Sequence, residues 1–137
     1  MNEKRKNMLI KIAQRENLNL VEEHVIADTT QAIAFDPNKR KFVYVTFATG
    51  DYLVHDISDI LSWKVSRFQI TQGNQYGSGE MYTLDISVAD TSHPLLKLVA
   101  GGITGQARAN GWSAYLEAIV NGNATGASSV KAKNIND

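Results

Sequence analysis

From Gln106 to Asn121 the large apolar residues Trp112, Tyr115, Leu116, Ile119 and Val120 recur at i, i+3, i+4, i+7 and i+8, one stripe of an amphipathic helix. No other stretch after residue 16 carries a helical period so strongly. Before it come seven short segments whose apolar residues alternate, or run together, over strand lengths. The pattern predicts a mainly β, α+β chain: a curved antiparallel sheet of seven strands, closed at one open end by the C-terminal helix.

Residues 3–15, EKRKNMLIKIAQR, lack helix breakers and place Met8, Leu9 and Ile12 on one side, which predicts a short N-terminal helix. Residues 18–27 read as a strand with a polar centre at Glu22, Glu23 and His24, its alternation imperfect. Asp36-Pro37-Asn38 is turn chemistry, with proline's fixed φ at the first central position, and it joins strands 31–36 and 41–47 as a hairpin. In the second of these, Phe42, Tyr44 and Thr46 oppose Val43, Val45 and Phe47, so both faces are expected to be covered, the outer one by the N-terminal helix or a second subunit. Further on, Leu61, Trp63 and Val65 alternate with Ser62, Lys64 and Ser66, after which the apolar set moves to Phe68 and Ile70. That shift of one residue predicts a β-bulge near Ser66 and Arg67. Glycines 73, 77 and 79 mark a hairpin loop with Tyr76 at its tip, strands 81–89 and 95–100 follow, Thr104 is a plausible N-cap, and Gly122 is placed to stop the last helix. Residues 1–16 thus read as a basic helix or arm, 17–122 as the domain of the curved sheet and its closing helix, and 123–137 as a flexible tail.

Composition narrows the class without naming a substrate. A hydrophobic content of 43% and a charged content of 20% over 137 residues are those of one ordinary globular domain. The absence of cysteine excludes disulfides, thiolate metal sites and thiol nucleophiles and fits a cytoplasmic chain. The formal net charge is zero but unevenly spread: residues 1–15 carry five basic groups against Glu3, whereas residues 16–120 carry seven against twelve acidic ones. An acidic body excludes a large nucleic-acid footprint, which needs a basic face on the folded part. The run Met8-Leu9-Ile10 is broken by Lys11, too short for a signal-peptide core or a membrane span.

Taken together, IAFDPNKRKFVYV, the DISDILSWKV step, the pair MYTLDISVAD and PLLKLVA, and the ending GWSAYLEAIV resemble a set of uncharacterised bacterial and phage-encoded domains of pleckstrin-homology-like (PH-like) fold. The likeness runs from about Ala32 to Val120. It implies a seven-stranded split barrel capped by the C-terminal helix, and it brings no catalytic residues with it. Pleckstrin-like domains that recognise phosphoinositides use basic residues on the first two strands and their loop. Here that loop is Ala27-Asp28-Thr29-Thr30-Gln31, flanked by Glu22 and Glu23, so the sign is wrong for that ligand.

Among candidate sites, His55, Asp56 and Asp59 form the one tight titratable cluster. A carboxylate there could orient the imidazole as a general base, or the three could hold a divalent metal; the plainer reading is a strand histidine beside turn and cap carboxylates. For His24 and His93, the second in a Ser-His-Pro loop, the sequence marks no partner, and surface or hydrogen-bonded roles are expected. Gly101-Gly102-Ile103-Thr104-Gly105 before a helix invites a phosphate-loop reading but lacks that loop's lysine and spacing. Trp63 and Trp112 fall on predicted core faces and are expected close together, whereas Leu53, Phe68 and Ile70 are candidates for a surface patch. The expectation is therefore a noncatalytic protein-interaction module, with no catalytic, metal or cofactor residues, binding a protein partner or a second copy. The alternatives are a small-ligand binder or enzyme using His55, Asp56 and Asp59, and a peripheral membrane binder that inserts Met8, Leu9 and Ile12 from a basic arm at residues 1–15.

Overall fold

The computed structural model of the protein describes residues 1–70 and 79–121. The chain divides into two compact units, Met1–Asp59 and Ile60–Asp137. The first holds helix α1 (Glu3–Glu16) and a four-stranded antiparallel sheet of β1 (Val25–Ala27), β2 (Gln31–Asp36), β3 (Lys41–Thr46) and β4 (Tyr52–Asp56), in that order. The second holds β5 (Ile60–Ile70), β6 (Gly79–Val88) and β7 (Leu95–Gly101), an antiparallel sheet in that order, followed by α2 (Gly105–Asn121). Among the described residues, two antiparallel sheets with seven strands in all, preceded by one helix and followed by another, make an α+β fold.

Helix α1 is defined at both ends. The Asn2 side chain accepts the N–H of Arg5 at 2.9 Å, and Asn17 closes the helix in the left-handed conformation, its N–H bonded to the carbonyl of Ala13. Its apolar side is not an arm in solvent. Leu9 and Ile12 are buried in one cluster with Ala32, Ala34, Val43, Val45 and Phe47 of the sheet, with Met8, Val25, Tyr52 and Val54 around them. The N-terminal helix is thus the cover that β3 required on that face. Ile26, Ile33, Phe35 and Phe42, of opposite parity, are buried too, and the Phe35 and Phe42 rings lie 5.8 Å apart. Two buried faces account for the near-continuous apolarity of β2 and β3.

In the second unit α2 packs across β5, β6 and β7. Its buried line is Gly105, Ala109, Trp112, Leu116 and Ile119, set against Leu84, Ile86, Leu96, Leu98 and Ala100 of the sheet's inner face. Tyr115 and Val120 flank that line, half-buried. Trp112 and Leu116 are where the stripe put them. Trp63 stands on the inner face, half-buried, opposite Ile86.

Two expectations are corrected. The strand expected over residues 18–27 is only Val25–Ala27: the polar centre Glu22–His24 winds into a 3₁₀ turn, closed by the His24 N–H on the Val21 carbonyl at 3.0 Å. The bulge is not at Ser66 and Arg67, which pair regularly with Thr83 and Tyr82; it lies at Leu61, where Ile60 pairs with Val88 and Ser62 with Ser87. The extra residue lets Ile60 and Trp63, three apart, both face inward, and it leaves Leu61 66% exposed. The shift at Phe68 is a change of side-chain chemistry on an unbroken strand: Phe68 keeps the outward parity of Lys64 and Ser66 and is 49% exposed. His93 takes the hydrogen-bonded surface place expected of it: its Nδ1 stands 4.0 Å from Oδ2 of Asp90, whose Oδ1 accepts the backbone N–H groups of His93 at 3.1 Å and Ser92 at 2.8 Å. The Gly73–Tyr76–Gly77 loop, the side chain of Ile70, Gly122 and the tail 123–137 lie outside the described residues.

Candidate functional site

The β4 hairpin places the titratable cluster. Strand β4 pairs with β3 so that His55 stands opposite Phe42 and Asp56 opposite Lys41. Successive strand residues point to opposite faces, so the cluster separates at its first step. His55 lies against the Phe42 ring, centroids 5.6 Å apart and planes inclined by 31°. Its Nδ1 is 3.3 Å from Oδ2 of Asp59, which the 3₁₀ turn Ile57–Asp59 brings back beneath the ring. Asp56 goes the other way, its Oδ1 2.6 Å from Nζ of Lys41. That hydrogen bond, together with the attraction of the carboxylate, raises the Lys41 pKa. The side chains of His55 and Asp59 come together, while that of Asp56 pairs with Lys41. Their pairing orients an imidazole, and the Asp59 oxygen also lies 3.3 Å from the Asp56 N–H it caps. A cap that also holds a ring on an aromatic neighbour is explained by the corner it builds. Among the described residues no three His, Cys, Asp or Glu side chains stand close enough to hold a metal ion.

The glycine-rich turn before α2 also has an architectural cause. Gly102 takes a φ of +81°, which favours glycine. At Gly105 a Cβ would stand 2.9 Å from the carbonyl oxygen of Ala100, so the helix start lies directly on β7. Thr104 occupies the expected cap position, its carbonyl accepting the Arg108 N–H at 2.9 Å, while the Arg108 guanidinium donates to the Gly101 carbonyl at 2.8 Å. The Arg108 side chain is thus engaged by the turn itself, its Nε–H also donating to the Thr104 hydroxyl at 3.2 Å.

A feature that periodicity did not reveal is Asp36, 2% exposed. Its Oδ1 accepts the N–H groups of Asn38 and Lys39, each at 3.1 Å, and its Oδ2 that of Asn19 at 2.9 Å. The first two are legible as an Asx turn in Asp-Pro-Asn. The third joins segments 17 residues apart, which no local pattern encodes.

The outer face of the β5–β7 sheet carries the remaining chemistry. Lys64, Asp85 and Lys97 stand in register across the three strands. Oδ2 of Asp85 accepts the Ser66 hydroxyl at 2.9 Å, while the buried Oδ1 has no hydrogen bond and lies 3.7 Å from Nζ of Lys97. This row is flanked by exposed apolar side chains: Leu61 and Leu95 toward one end, Phe68 toward the other, and a fully exposed Ile103 in the turn after β7. Leu53, the other candidate for a surface patch, is half-buried on β4.

The membrane reading meets a physical obstacle in α1. Leu9 and Ile12, the side chains it would insert, are buried in the first unit's core with Met8 packed beside them. The helix is also fastened at its ends: Arg5 lies over the Phe47 ring at 4.7 Å and donates to the Thr29 carbonyl, and the Tyr52 hydroxyl donates to Glu16 at 2.7 Å. Among the described residues no helix is long and apolar enough to cross a membrane. No protein-family model matches the chain, and no curated protein and no solved structure matches it.

Proposed function

We propose that this protein is a noncatalytic protein-interaction module of PH-like split-barrel architecture, acting in the cytoplasm. The order of elements supports that architecture: four antiparallel strands, then three, then one amphipathic helix. The binding role is carried by one observation. Among the described residues, both outer strands of the β5–β7 sheet have a margin without a neighbouring strand in the sheet, and each displays a large exposed apolar side chain, Leu61 and Phe68 on β5 and Leu95 on β7. Backbone N–H and C=O groups along such a margin accept an added strand, and exposed apolar side chains supply the contact area that makes the pairing selective. Lys64 and Lys97, pointing outward on those two strands, disfavour indiscriminate edge pairing and so narrow the choice of partner. The partner is a protein strand or a second copy of the chain, received at a margin of this sheet or in the groove beside α2.

The test compares the natural chain with a Phe68→Glu, Leu95→Glu variant, both substitutions at exposed positions. Light scattering over a range of concentrations reads self-association, and pull-down from the native host reads other partners. Loss in the variant of an oligomer or of a defined captured protein is the expected result. A strict monomer that retains nothing, or an unchanged set retained by both chains, overturns the proposal.

A further inference from the structure

No further inference is drawn: the strongest candidate, the exposed apolar set Leu61, Phe68, Leu95 and Ile103 on the β5–β7 sheet and the turn after it, belongs to the surface already described, and nothing in the structure shows what covers it.

Discussion

Asp36 is a carboxylate withdrawn from water that holds three backbone N–H groups, from Asn19, Asn38 and Lys39. Replacing it with alanine leaves those donors without their acceptor at a site with little access to water. Asp36→Ala is therefore expected to cost about 2–3 kcal/mol in urea denaturation, at the upper end for a buried hydrogen-bonded group, and Asp36→Asn, which keeps one acceptor oxygen, clearly less. The glycines of the second unit separate by the same kind of reasoning. At Gly111, inside α2, an added Cβ meets nothing within 4 Å, so Gly111→Ala gains helix propensity and should stabilise by about 0.5–1 kcal/mol. At Gly105 the Cβ meets the Ala100 backbone, and Gly105→Ala should destabilise by about 1–3 kcal/mol through overpacking; thermal unfolding of the two variants should move in opposite directions. Tyr115 supplies a pH dependence. Desolvation raises its pKa from an ordinary 10.0 to about 12, so the folded chain holds this proton more tightly than the unfolded one. The contribution is whole below about pH 10 and is lost as pH rises toward 12. Tyr52 and Tyr82 shift in the same direction, chiefly through hydrogen bonds to Glu16 and Glu80. Denaturation at pH 9 and 11 should show stability falling with pH, and Tyr115→Phe should flatten that fall.

Helix α1 shows why an element that looks like a charged leader can be part of a core. It carries five basic residues, yet Leu9 and Ile12 face the sheet. Leu9→Ala is expected to cost about 2–4 kcal/mol, a transfer loss plus a cavity. Removing residues 1–16 would bare Ala32, Ala34, Val43, Val45 and Phe47 together, so the truncated chain should bind a hydrophobic dye and aggregate, whereas a dispensable arm would leave both readouts unchanged. In α2 the apolar stripe was visible from its spacing, but its centre was not. The buried line runs through Gly105 and Ala109, small residues that hydropathy hardly weights. In β5 the alternation changes at Phe68 while the backbone irregularity is at Leu61. A change of apolar parity records either an inserted residue or a face that changes chemistry, and the one-dimensional pattern is the same for both.

At the scale of the molecule, the zero net charge conceals a basic N-terminal helix on an otherwise acidic chain. In the first unit some of those cations have local roles, Arg5 over Phe47 and Lys6 3.6 Å from Glu22. The candidate chemistry was legible only as proximity along the chain. His55, Asp56 and Asp59 are neighbours in sequence, but strand alternation sends Asp56 to Lys41 and a 3₁₀ turn returns Asp59 to His55. What the sequence alone determined were the strand segments from residue 25 onward, the Asp36-Pro37-Asn38 turn and the two helices. Each follows from side-chain period, proline and glycine geometry or capping groups, which act within a few residues. Only the tertiary structure decided that α1, and not a second subunit, covers the first sheet, that Asp36 reaches Asn19, that the bulge sits at Leu61, and that Leu61 and Leu95 remain exposed. Burial and long-range hydrogen bonding depend on which surfaces the folded backbone brings together, and residues far apart in the chain carry no local mark of that meeting.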